Sequence, residues 1–110
     1  MDISWTGAVD TNFLNPDNWS TNTVPGAADT AILNNAGVPQ PRVFPGSNLS
    51  LLGITLSAGQ LTVDGQIGVT DTLFLTGDVI LRINAAGIVF GNIALSSSIS
   101  TLVHQGTVIG

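Results

Sequence analysis

The chain has 110 residues, of which only nine are charged: seven aspartates, Arg42 and Arg82, for a net charge of −5. Its charged fraction of 8% compares with about 25% in typical soluble domains. Two basic residues give no electrostatic footprint for nucleic acid or for an anionic membrane. The absence of cysteine excludes disulfides, thiol chemistry and Cys-bound zinc.

The surface of this chain needs an explanation, because 44% of its residues are hydrophobic and few are charged. We therefore expect copies of the chain to cover one another in a homo-oligomer, with a closed trimer favoured. The alternative is a neutral surface of Ser, Thr and Asn that hydrates well enough alone. The first ten residues lack the basic start and apolar run of a signal peptide. No apolar run approaches the ~20 residues of a membrane-spanning helix.

Residues 1–45 form a turn-rich segment that holds all five prolines and both tryptophans. Clusters of Asn, Pro, Asp and Gly mark turns near residues 15–18, 24–26 and 34–37. Between these turns the sequence predicts short strands at Ile3–Trp5, Thr30–Leu33 and Arg42–Phe44, and a short helical turn around Phe13–Asn18.

Residues 46–110 contain no proline and show a regular pattern of apolar pairs at positions i and i+2. This period of two predicts short strands with both pair members on one face. Corners of three residues, rich in Gly, Asp and Thr, separate the first pairs. The pairs are Leu61/Val63, Ile67/Val69, Leu73/Leu75, Val79/Leu81, Ile88/Phe90 and Ile93/Leu95, with Ile54/Leu56 before them and Ile99 after them.

Two all-β architectures fit this spacing. In a β-solenoid, three short strands and three corners make one coil of about 18 residues, so that Leu61 stacks on Val79. In an antiparallel meander or β-sandwich, the same strands are joined by hairpins, and the Asp64-Gly65 pair is a hairpin signal. Strands of three residues span only ~10 Å, which is too narrow to cover a second layer. The solenoid is therefore favoured: a single domain with a cap segment over 1–45 and short solenoid strands over 46–110.

The first segment carries a resemblance to a known module. In order, Trp5-x-Gly7, Asn18-Trp19-Ser20, Val24-Pro25-Gly26 and Asp29-Thr30-Ala31-Ile32-Leu33 resemble the N-terminal cap module of β-solenoid bacterial surface proteins and autotransporter passengers. The same order is similar to short phage virion proteins, including those that decorate capsids. The match covers about a quarter of the chain.

The resemblance implies a structural cap at the start of the first coil. It assigns Trp5, Trp19, Pro25 and Asp29 to this cap, and it transfers no catalytic residue. An open solenoid end would expose apolar interior and unpaired backbone. The Asp29 side chain is expected to hold the turn after Pro25. A sugar-binding platform on the tryptophans is the alternative interpretation.

The inventory of reactive residues predicts neither a catalytic site nor a metal or cofactor site. His104 is the only histidine, so one chain cannot build a His-based zinc site, although three copies could meet on a trimer axis. Asp64, Asp71 and Asp78 recur every seven residues, but the solenoid spacing puts them at different corners. Asp10 and Asp17 are expected to serve turns. The sequons at Asn18 and Asn48 match N-glycosylation sites.

Three functions are compatible with the sequence. The first is a non-enzymatic phage capsid decoration, or cement, protein that sits on the outer shell of the virion and contacts the major capsid protein. The second is the N-terminal cap of a secreted adhesin on a bacterial cell surface. The third is a carbohydrate-binding module. The absence of a signal peptide and the small number of coils favour the first.

Overall fold

The computed structural model describes residues 2–35, 37–77, 79–95, 101–104 and 106–109. In these ranges the chain forms β-strands and a single 3-10 turn at Pro16–Asn18. The strands are β1 (Asp2–Ser4), β2 (Thr30–Leu33), β3 (Arg42–Val43), β4 (Asn48–Leu51), β5 (Gly53–Leu56), β6 (Gly59–Val63), β7 (Gln66–Leu75), β8 (Val79–Ile83), β9 (Ile88–Leu95), β10 (Thr101–His104) and β11 (Thr107–Ile109). The predicted strand at Thr30–Leu33 is confirmed, and those near Ile3 and Arg42 differ by one residue at their ends.

The strands stack in three columns, which we call faces. The first face holds β1, β2, β5 and the second halves of β7 and β9. The second face holds β3, β6, β8 and β10. The third face holds β4, the first halves of β7 and β9, and β11. Every paired strand in the described ranges runs parallel to its neighbour, whereas hairpins would place neighbours antiparallel. The chain is therefore a β-solenoid, as predicted, and the meander is excluded.

The strand register sets the length of a coil. Leu61 lies opposite Leu81, 20 positions further on, while Asn48 lies opposite Gln66, 18 positions further on, and Thr30 opposite Gly53, 23 positions further on. The predicted stacking of Leu61 on Val79 is therefore wrong. Corners of unequal length add residues to some coils, and strand periodicity carries no information about them.

The inward pairs form one continuous core between the faces. Ile54/Leu56, Leu61/Val63, Ile67/Val69, Leu73/Leu75 and Val79/Leu81 are buried as predicted. The pair Ile88/Phe90 is wrong, because Val89 points inward with 0% exposure and its two neighbours are half-buried. When three consecutive residues are apolar, the sequence pattern does not show which of them point inward. The length of the preceding corner decides which residues face the core. Ile93 packs against the core, and Ile99 lies outside the described residues.

Strand β9 passes from the third face to the first at Gly91. This residue has φ +125°, and a Cβ there would lie 2.5 Å from the carbonyl oxygen of Val69. Only glycine fits such a bend. Strand β7 makes the same change of face at Thr70 and Asp71, which are both directed away from the core.

The residues before β2 cover one end of the stack. The N–H of Arg42 donates to the carbonyl of Thr11 at 2.7 Å, and the N–H of Phe13 donates to the carbonyl of Arg42 at 3.1 Å, along the outer edge of β3. At the edge of β1, the N–H of Ser20 donates to the carbonyl of Ser4 at 2.9 Å. Segment 1–45 thus supplies both this covering and strands β2 and β3. Filling these edges removes the unpaired backbone that would invite pairing with other strands.

Candidate functional site

Three aromatic rings pack together at the covered end. The Trp19 ring meets Phe13 at 4.8 Å and Trp5 at 5.1 Å between centroids, both edge to face. Trp5 and Phe13 lie 6.5 Å apart. All three are buried, Phe13 completely. Such aromatic pairs contribute about 0.5–1.5 kcal/mol each beyond the area that they bury.

Both indole N–H groups are bonded within the chain. Trp5 Nε1 donates to the carbonyl of Pro39 at 2.7 Å, and Trp19 Nε1 donates to the carbonyl of Phe13 at 2.8 Å. The exposure of Trp5 is 3% and that of Trp19 is 1%. A sugar platform needs an exposed ring face, so the interpretation of these tryptophans as a binding platform is wrong.

Phe13 and Asn18 are two members of this end that the sequence analysis did not assign to it. Asn18 is fully buried. Its Oδ1 accepts from the N–H groups of Val9 and Asp10, while its Nδ2 donates to Asp10 Oδ1 at 2.7 Å and to the carbonyl of Asn12 at 3.0 Å. A glycan on Asn18 would break this network.

Asp10 belongs to the same network. The hydrogen bond from the Asn18 side chain, followed by one from the backbone N–H of Asn12, holds the pKa of Asp10 below its usual value. A carboxyl with a lowered pKa is ionised near neutral pH and is unsuited to act as a general acid there. Asp17 lies in the 3-10 turn, and its N–H donates to Asn15 Oδ1 at 3.0 Å.

Pro25 and Asp29 form the turn that leads into β2. Asp29 Oδ2 accepts from the N–H of Gly26 at 2.9 Å, which is the contact that the sequence predicted. The N–H of Asp29 in turn donates to the carbonyl of Gly26 at 3.0 Å. Asp29 therefore holds the turn through which the chain enters the first face, and Pro25 is buried at the start of that turn.

One charged cluster joins three successive coils where the second face ends. Asp64 Oδ2 accepts from Arg42 Nε, and Asp64 Oδ1 accepts from Asn84 Nδ2 at 2.6 Å. Arg42 also lies over the ring of Phe44, 4.9 Å from its centroid. Partial burial raises the pKa of Asp64, but the hydrogen bonds from Arg42 and Asn84 and the Arg42 charge outweigh it, so this pKa lies below its usual value. The cluster stabilises the stack of coils and keeps Asp64 ionised.

The other predicted candidates are not brought together. Asp71 is exposed at the bend of β7, away from Asp64 at the end of the second face. Asp78 lies outside the described residues. His104 ends β10 at the position opposite Ile83. Among the residues that the structure describes, no three His, Asp or Glu side chains cluster closely enough to hold a metal ion.

Charge is distributed unevenly over the three faces. Both arginines lie on the second face, at register positions that also contain Thr62. The outward residues paired on the third face are uncharged, as are those paired on the first face from β2 onward, and the exposed Asp71 lies at the corner between these two faces. Outward on the third face are Asn48, Ser50, Gln66, Gly68, Ile88, Phe90, Thr107 and Ile109. Two of the three faces therefore offer neutral surfaces for contact with a partner.

No known protein-family model, curated protein or solved structure matches the chain. No helix in the described ranges is long and apolar enough to cross a membrane.

Proposed function

We propose that this protein is a non-enzymatic structural protein that decorates the outer surface of a phage capsid. In this proposal it acts as a homo-oligomer, with a trimer favoured, and contacts the major capsid protein. Each copy adds weak contacts to several shell subunits, and these contacts reinforce one another because all copies are held on one surface.

The observation that carries the proposal is that the buried polar side chains make hydrogen bonds within the chain itself. Among the residues that the structure describes, the two buried polar side chains, Asn18 and Asp64, bond to groups of the same chain. Asp29 holds a backbone turn. Groups committed in this way stabilise a fold and are not free for chemistry. A β-solenoid with one covered end and two faces of uncharged outward residues suits a mechanical role between neighbouring subunits.

The distribution of charge gives further support. Shell surfaces that meet through neutral faces avoid the cost of burying unpaired charges. The first and third faces offer such surfaces, while the second face carries Arg82 and the Arg42 side chain that is paired with Asp64. The resemblance of the first segment to virion proteins points in the same direction.

The proposal is tested by binding to shells. The chain is co-expressed with the major capsid protein encoded in the same genome, and the shells are pelleted. We expect the chain to sediment with the shells at a fixed stoichiometry and to raise their melting temperature. Trp19→Ala, which should disrupt the covered end, serves as the control that no longer sediments. A chain that stays in the supernatant at tens of times the shell concentration contradicts the proposal.

A second candidate function is the N-terminal cap of a secreted solenoid adhesin. It is favoured by one observation: segment 5–20 covers the end of the stack that precedes the first full coil. Solenoids grow by adding coils to such a covered start. Sequencing the transcript distinguishes the two functions, because an adhesin continues in the same reading frame with further coils.

A further inference from the structure

The third face contains a groove where a side chain is missing. Ser50, Gly68 and Phe90 lie side by side in register on its outer surface. Gly68 leaves an open groove of about 250 Å³, with Leu51, Val69 and Phe90 among its walls. This volume is smaller than the ~300–1,000 Å³ of small-molecule sites. One apolar side chain of a partner suits it better than a cofactor or metabolite does.

The backbone does not require glycine at position 68. Its φ lies outside the left-handed region, and an added Cβ would meet no atom closer than 3.7 Å. Glycine within a strand lowers stability and often marks a place where a ligand or another chain approaches closely. The groove is therefore a feature for which the fold itself has no steric need.

A matching apolar projection lies on the first face. Phe74 is 40% exposed, although its neighbours Leu73 and Leu75 are fully buried. In register beside it are the uncharged residues Thr55 and Ala94. Moving the ring of an exposed phenylalanine out of water into an apolar contact is favourable, because it lowers the free energy of the system.

We propose that Phe74 of one copy inserts into the Gly68 groove of a second copy. The projection and the groove are carried by the same chain, and both are mainly apolar. Their neighbours in register are uncharged, namely Thr55 and Ala94 beside Phe74 and Ser50 beside Gly68. The exposed Asp71 lies between the two features on β7. The Cα extents of the molecule are 30 × 27 × 23 Å. Each face is narrower than these extents, because its strands pair over only three or four residues, so a single contact belongs to the small class of interfaces that bury less than ~1,200 Å² in total.

This contact is heterologous, because Phe74 and the Gly68 groove lie on different faces. Each copy can then hold one neighbour through its projection and another through its groove. Such contacts produce a ring when the rotation closes and a filament when it does not. The inference rests on the self-association within the proposed function, but it does not involve the shell. It is measured on the purified chain alone, so its failure is distinguishable from a failure to bind capsids.

The test uses two variants and their mixture in light scattering and sedimentation. Phe74→Ser removes the projection and keeps the groove, while Gly68→Val fills the groove and keeps the projection. Each alone should weaken self-association at least tenfold. An equimolar mixture should form a heterodimer of twice the mass of one chain and nothing larger, because each pair retains a single intact contact. Ile80→Ser on the second face is the matched control and should associate as the parent does.

Circular dichroism first checks that each variant is folded; if Gly68→Val is not, Gly68→Ala replaces it, because its Cβ has room. A parent chain that stays monomeric at millimolar concentration overturns the proposal. So do variants that associate like the parent, and so does an Ile80→Ser variant that fails to associate. Two monomeric variants that form no heterodimer when mixed also overturn it.

Discussion

The aromatic cluster at the covered end predicts a large loss of stability on Trp19→Ala. The indole is 1% exposed, packs edge to face on Phe13 and Trp5, and donates a hydrogen bond to the Phe13 carbonyl at 2.8 Å. Replacing a buried tryptophan by alanine costs about 3–5 kcal/mol. The carbonyl left without its donor adds roughly 1 kcal/mol.

This loss is a large share of the ~5–15 kcal/mol that stabilises a typical domain. For a domain of about this length, each kcal/mol corresponds to ~4–8 °C in melting temperature. We therefore expect Trp19→Ala to melt at least ~15 °C lower in thermal scans followed by circular dichroism. Leu14→Ala is the matched control, since Leu14 lies in the same segment but is 39% exposed. Its melting temperature should change little. A fall of less than ~5 °C for Trp19→Ala would refute the packing role of the indole.

Three further predictions concern substitutions of individual residues. The pKa of Asp64 is lower in the folded chain than in the unfolded chain, where it is about 4. The ionised carboxylate therefore stabilises the fold above pH ~4, and this stabilisation is lost as the pH falls through the pKa of the folded chain. Asp64→Asn should therefore be less stable than the parent in urea at pH 7, with the difference shrinking toward pH 2; an equal difference at both pH values contradicts the ion pair. Gly91→Ala should destabilise more than Gly46→Ala in the same assay, because both have positive φ but only Gly91 lacks room for a Cβ; equal losses would mean that the close approach is unimportant. Asp71→Asn and His104→Gln should each leave the assembled mass and the melting temperature nearly unchanged, and a loss of assembly with His104→Gln would indicate a metal or a buried hydrogen bond.

The contrast between positions 67–69 and 88–90 shows what a strand pattern can specify. Ile67 and Val69 flank a glycine, so their inward direction is readable from the sequence, and both are buried. At 88–90 all three residues are apolar, so the alternating pattern is satisfied whether Val89 points inward or its two neighbours do. The structure selects Val89 because register places it opposite Ile67.

The contacts of the covered end also include one that the sequence predicts and one that it does not. The Asp29 contact with Gly26 spans three residues, and local turn chemistry is enough to predict it. The contact of Trp5 with the carbonyl of Pro39 spans 34 residues. Nothing in the local sequence specifies such a partner, because it depends on where the first coil returns.

The sequence by itself determined that the chain is all-β, that the apolar pairs from Ile54/Leu56 to Val79/Leu81 face inward, and that its prolines and tryptophans gather before the repeating strands. These features depend on alternation and turn chemistry, which act over a few residues. Only the tertiary structure decided the 20-residue offset of Leu61 and Leu81, the cluster of Arg42, Asp64 and Asn84, and the neutral faces with Phe74 and Gly68. Each of these depends on the register between coils, and corner lengths set that register without leaving a periodic signal in the sequence.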